Sequence, residues 1–152
     1  MFKKILVPID LGGGHESAVD LAISLLSPEG GHITLVHAIE VIAGLSRDDD
    51  PAFYRRLEQA ADHHLAQYLT RNGASHIASQ RVIYGDRAAE ILRLAEDSAT
   101  DLIVLRSHRI DPREPAAGWA TLSHKIAALA SCPVLLVKSA RPSKEAVSHT
   151  PA

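Results

Sequence analysis

The sequence predicts an α/β fold in which a parallel sheet is covered by helices on both faces. Three observations carry that expectation. KKILVPI (3–9), HITLVHAI (32–39), DLIVL (101–105) and PVLLV (133–137) are near-continuous apolar runs without alternation, the mark of strands buried on both faces. Segments with apolar residues at helical spacing separate them, so strand and helix alternate along the chain. A chain of 152 residues is also long enough for one domain with a substantial core.

The first strand should end near Pro8, which cannot donate a ladder hydrogen bond. Asp10, Leu11 and Gly12-Gly13-Gly14 then lead into a helix from about His15 to Leu26, with Ala18, Ala22, Leu25 and Leu26 on one face. Pro28 and Gly30-Gly31 stop it. After the second strand, Asp50-Pro51 supplies an acidic N-cap with proline at the first helical position. Phe53, Leu57, Ala61, Leu65 and Tyr68 form the apolar stripe of that helix, and Asn72-Gly73 closes it. Residues 79–84 (SQRVIY) are a more polar third strand, expected at an edge. Gly85-Asp86 turns into a helix with the face Ala88, Ile91, Leu92 and Ala95. The fourth strand, 101–105, leads into a long loop, then a helix marked by Leu122, Ile126, Leu129 and Ala130, then the fifth strand. Residues 139–152 lack periodicity and are expected to be a disordered tail.

Composition excludes several function classes. A net charge of −2 with mixed signs gives no electrostatic footprint for DNA, RNA or acidic membranes. The single cysteine, Cys132, excludes an internal disulfide and a cysteine-built zinc cage. The start, MFKKILVPID, has too short an apolar run for a signal peptide, and no stretch approaches the roughly 20 apolar residues of a membrane span. A cytoplasmic location is expected.

In such sheets, ligands bind beyond the carboxyl ends of the strands where the strand order reverses. If the first and fourth strands are neighbours there, Asp10 faces the loop beginning at Arg106.

ILVPID, LVHAIE, GDRAAEILRLAEDSATDLIVLRSH and AALASCPVLLVK stand in this order along the chain. In these pieces the sequence resembles the universal stress protein family over residues 3–138. The resemblance implies a three-layer sandwich of the adenine nucleotide alpha hydrolase-like, Rossmann-like type, with its five strands in the order 3-2-1-4-5. It also implies a homodimer paired through the last strand, Pro133, Val134, Leu135, Leu136 and Val137.

ATP-binding members of that family carry G-x-x-G, nine residues, then G-[S/T] after the fourth strand. Glycine is needed there because backbone N–H groups must come close to phosphate oxygens, and a helix N-terminus adds its partial positive charge. Here Arg106 and Arg109 stand at the two leading glycines and Ala120 at the last, with hydroxyls at Thr121 and Ser123. The loop is also one residue longer than the ATP-type spacing, and Gly118 lies two positions early. The resemblance places Asp10 where an acid reads adenine, with Ala38 and Leu105 lining the base pocket. Together with Pro8 and Ile9 these residues make up the candidate nucleotide or anion pocket. Asp10 serves equally well as a turn cap, and the two apolar positions as core.

Other constellations support less. Gly12-Gly13-Gly14-His15-Glu16-Ser17 approximates a dinucleotide fingerprint, with Glu40 placed like a ribose-binding acid, yet Asp10 and Leu11 intervene. A flexible turn into the first helix is the simpler reading. Arg106, His108, Arg109, Arg113 and Lys125 could grip an anion through side chains. The competing reading has them solvated or paired with Asp10, Asp111 or Glu114. His63 and His64 point about 100° apart and cannot chelate together, and His108 and His124 lack partner ligands, so no metal is expected. A Ser107–His124–Asp10 triad lacks a nucleophile-elbow motif. Cys132, ahead of a buried strand, reads as packed rather than reactive.

The favoured reading is a homodimeric stress-response binding or regulatory module without ATP bound in the family manner, and not an enzyme. The alternative is an ATP- or AMP-binding member that uses a modified loop between Arg106 and Thr121. A hydrolase has the least support, since no general base is placed against a phosphate-binding loop.

Overall fold

A computed structural model of the protein describes residues 1–41, 44–107, 112–113 and 121–138. Five strands, β1 (Lys4–Pro8), β2 (His32–Ile39), β3 (Ala78–Tyr84), β4 (Leu102–Ser107) and β5 (Val134–Lys138), form one sheet. Their order is β3-β2-β1-β4-β5, and every ladder is parallel. The helices are α1 (Glu16–Leu25), α2 (Pro51–Arg71), α3 (Arg87–Asp97) and α4 (Leu122–Leu129).

The uninterrupted apolar runs have a direct structural cause. Ile5 and Val7 of β1, Ile33 and Leu35 of β2, and Leu102 and Val104 of β4 point into a core shared with Ala18, Val19, Ala22, Leu65 and Leu69 of α1 and α2. The alternate residues Leu6, Val36, Ala38, Ile103 and Leu105 point into a second core with Ile91, Ala95 and Ile126 of α3 and α4. Successive side chains of a strand face opposite ways, so a strand feeding two cores must be apolar at every position. The three central strands carry this pattern, and the more polar β3 lies at an edge.

Local signals fix the helix starts and the strand entry. The Asp50 carboxylate accepts from the Phe53 N–H at 3.1 Å with Pro51 following, and Asp86 accepts from the Ala89 N–H at 2.9 Å. The Asp101 carboxylate accepts from the backbone N–H groups of Lys3 (2.9 Å) and Lys4 (3.1 Å), which joins the starts of β1 and β4.

Two helix faces differ from the sequence expectation. In α2 the buried residues are Tyr54, Ala61, Leu65 and Leu69, while Leu57 is exposed. The face is rotated because the Tyr54 hydroxyl donates to the Leu45 carbonyl at 2.6 Å, and a tyrosine whose hydroxyl is satisfied can be buried whole. In α4 Leu129 is 66% exposed, since the helix stops there and the chain turns towards β5. β4 also runs on to Ser107, beyond the expected end at Leu105, because Arg106 and Ser107 pair with Val137 and Lys138.

Among the described residues, no helix is long and apolar enough to cross a membrane. The expected tail, 139–152, lies outside the described residues.

Candidate functional site

In this strand order the direction of progression reverses between β1 and β4, and a cleft of about 460 Å³ opens beyond their carboxyl ends. Its volume falls in the usual range for small-molecule sites. Pro8, Ile9, Asp10, Ala38, Leu105, Arg106, Thr121 and Ser123, the sequence-derived candidates within the described residues, all line it. Arg109 and Ala120 lie outside the described residues.

Each wall follows from its element. Ile9 continues β1, donating its N–H to the Val36 carbonyl at 2.8 Å, and its own carbonyl is 3.0 Å from His37 Nδ1. Ala38 and Leu105 are buried on the α3–α4 side of the sheet and give the cleft an apolar floor. Asp10 is the first exposed residue after β1. Its Oδ1 accepts from the Gly12 N–H at 3.0 Å and its carbonyl from the Gly13 N–H at 3.3 Å, so the carboxylate shapes the turn that leads to α1. Gly13 and Gly14 have φ of +95° and +80°, which explains glycine at both positions.

Arg106 does what the sequence alone did not indicate. Its Nη1 donates to the Gly13 carbonyl at 2.9 Å, so the guanidinium reaches across from β4 to the loop after β1. A Cβ on Gly14 would collide with that guanidinium, so glycine is required twice over. A positive charge therefore stands at the end of β4, held by main chain rather than pointing into solvent.

Thr121 precedes α4 without capping it through its side chain. Its hydroxyl instead lies 2.7 Å from His124 Nδ1 and 3.2 Å from Ser123 Oγ. Ser123 Oγ donates to Ser107 Oγ at 3.3 Å, and Lys138 Nζ donates to the same Ser107 oxygen at 3.2 Å. Ser107 and Ser123 are both buried. These bonds tie the start of α4 to the ends of β4 and β5, and they give His124 a role in the same polar chain. The Asp10 carboxylate is engaged with the Gly12 N–H, and His124 Nδ1 with the Thr121 hydroxyl.

Several lining residues were not among the sequence-derived pocket candidates: Gly13, His15, Val36, His37, Arg87, Ile91 and Leu122. The glycine triplet before His15 was the available signal for the first two, and the Asp86 cap places Arg87 at the start of α3. Arg87 meets Glu40 at 3.1 Å on the cleft rim, with both side chains about half exposed.

A second depression, about 410 Å³, lies at the start of α2 and the end of β3 and is lined by Arg47, Arg55, Glu58 and Tyr84. The Tyr84 hydroxyl is 2.6 Å from Glu58 Oε2 and 3.0 Å from the Tyr54 carbonyl, and the Arg47 guanidinium sits 4.0 Å from the Tyr84 ring centroid. Desolvation pushes the Tyr84 phenol up to about 12, with the Glu58 hydrogen bond and charge adding to it and Arg47 opposing. Because the folded value is raised, the stabilisation of the neutral phenol is complete below the ordinary tyrosine value near 10 and is lost as pH rises through about 12. In an absorbance titration one tyrosine should ionise last, and Glu58→Gln should lower its midpoint. An unshifted Tyr84 would contradict the contact.

Burial raises the Cys132 thiol, with the Asp101 charge adding, so the thiol is less reactive than a free cysteine. No group of three or more His, Cys, Asp or Glu able to hold a metal occurs among the described residues.

The universal stress protein family model matches residues 1–138. No curated protein matches the sequence. Among solved structures, hypothetical protein MJ0577 aligns at a TM-score of 0.69 and 20% identity, covering 92% of this chain and 98% of its own. Universal stress protein UspA from Lactobacillus plantarum aligns at 0.68 and 20%, covering 90% and 97%. A universal stress protein in complex with cAMP aligns at 0.59 and 17%, covering 91% and 98%. At these identities the structural matches establish the shared fold, and the family match over most of the chain establishes the membership. The chain belongs to the universal stress protein family.

Proposed function

We propose that this universal stress protein is a cytoplasmic, homodimeric binding or regulatory module that does not hold ATP in the glycine-loop manner, and that it is not an enzyme. The bond from Arg106 to the Gly13 carbonyl carries this reading. A polyphosphate needs backbone N–H groups bare of side chains after β4. Here β4 ends with an arginine, Arg106, committed to the loop after β1. Calorimetric titration of ATP with magnesium into the purified chain should give no detectable heat. Micromolar affinity would sink the proposal.

The apolar floor at Ile9, Ala38 and Leu105 favours a second reading, an AMP-type ligand. It lines a cleft large enough for a nucleotide and is untouched by the glycine losses. A structural neighbour in complex with cAMP supports that reading. A nucleoside with a single phosphate would place its base on this floor and meet Arg106 through side-chain rather than backbone contacts.

The dimer reading rests on β5. Among the described residues it is an edge strand paired only with β4, and Val134, Leu135, Leu136 and Val137 are half-buried. An apolar edge with an unpaired ladder side invites a second copy. Light scattering should return a mass about twice the 16.3 kDa of one chain. A charged substitution at Leu135 or Val137 should yield monomers or insoluble protein, whereas a soluble dimer of that variant would point to another interface.

A further inference from the structure

His15 is buried, only 4% exposed, and among the described residues neither of its ring nitrogens has a hydrogen-bond partner. Buried polar atoms are almost always paired, because leaving them unpaired is costly. The position is firmly held. The His15 carbonyl accepts from the N–H groups of Ala18 (3.0 Å) and Val19 (3.1 Å), which anchors it at the start of α1. Its ring packs edge-on against Tyr68, centroids 4.8 Å apart, with His64 at 6.5 Å. A phenyl ring would fill the same space without the polar cost, so packing alone does not account for an imidazole here.

The same residue lines the cleft with Gly13 and Arg106, its ring packed towards α2, whereas Ala38 and Leu105 lie on the α3–α4 side of the sheet. We propose that His15 reads the ligand of this cleft, its imidazole hydrogen-bonding an oxygen of the sugar–phosphate part of an AMP-type molecule. The base suits the apolar floor, which leaves the polar part of the ligand for the end held by Gly13, His15 and Arg106. A neutral imidazole offers one donor and one acceptor, so either a ribose hydroxyl or a phosphate oxygen can serve as partner. Neither nitrogen is open to solvent, and the bond therefore requires the turn between β1 and α1 to yield. Gly13 and Gly14, both at positive φ, give that turn the backbone freedom. The inference rests on the AMP-type reading of the cleft.

The test titrates AMP, cAMP and adenosine into the full chain and into its His15→Phe and His15→Gln variants. His15→Phe should lose about tenfold or more in AMP affinity while its thermal midpoint stays level or rises. His15→Gln, which keeps a donor and an acceptor, should stay close to wild type. A loss for AMP and adenosine alike assigns the contact to the sugar, and a loss for AMP alone assigns it to the phosphate. If His15→Phe does not fold, the ring-nitrogen resonances of His15 in labelled wild type should shift when AMP is added. Wild-type affinity in His15→Phe, or unmoved ring resonances with AMP bound, overturns the role of His15 and leaves the AMP reading standing. If wild type binds none of the three ligands, the AMP reading fails and the assignment with it.

Discussion

Replacing Arg106, Arg109 and Ala120 together with glycine is expected to raise ATP affinity at least about tenfold, from no measurable heat to a measurable binding isotherm. Each backbone N–H released to a charged phosphate oxygen contributes roughly 1.5–3 kcal/mol, and about 1.4 kcal/mol is tenfold in affinity. Two parts of the frame are present among the described residues: α4 begins at the cleft, and Thr121 and Ser123 line it. Arg106→Gly alone should deliver only part of the gain, because it also removes the tie to Gly13 and loosens the turn that carries Asp10. Calorimetry with ATP and magnesium decides. No gain in the triple variant would mean that the missing glycines do not limit ATP affinity in this cleft.

Ile103→Ala is expected to cost about 2–5 kcal/mol of stability, the usual range for emptying a buried isoleucine site. Ile103 is fully buried in β4, between Leu6 of β1 and Val134 of β5, and it belongs to the core under α3 and α4. Close neighbours on both flanking strands leave the site little room to collapse, which argues for the upper half of that range. Against a typical total of roughly 5–15 kcal/mol, this is a large fraction of the stability of the domain. In thermal unfolding the midpoint should fall by roughly 4–20 °C. A fall of a degree or less would mean that β4 is not the packed centre of the domain.

The fold was legible because burial on both sheet faces leaves a direct trace in the sequence. Ile5, Leu6 and Val7 are consecutive and apolar since they alternate between two cores. Helix faces were less legible where neighbouring positions compete. Tyr54 and Leu57 both fit an apolar stripe, and the choice fell to the Leu45 carbonyl, a partner in a loop that periodicity does not see. At the site, the strand-end residues could be found because topology alone brings Asp10 and Arg106 to the same cleft. The direction of the Arg106 side chain could not, since it depends on a carbonyl 93 positions away in sequence. The burial of His15 was hidden for a similar reason: its neighbours Tyr68 and His64 come from α2, across the packed layer.

We propose that Arg106 at the end of β4, tied to the Gly13 carbonyl, keeps ATP from binding in the glycine-loop manner. The most direct test denatures freshly purified protein and identifies any nucleotide released, by chromatography and mass spectrometry. The account predicts no ATP above trace amounts, while ATP released at close to one molecule per chain would contradict it.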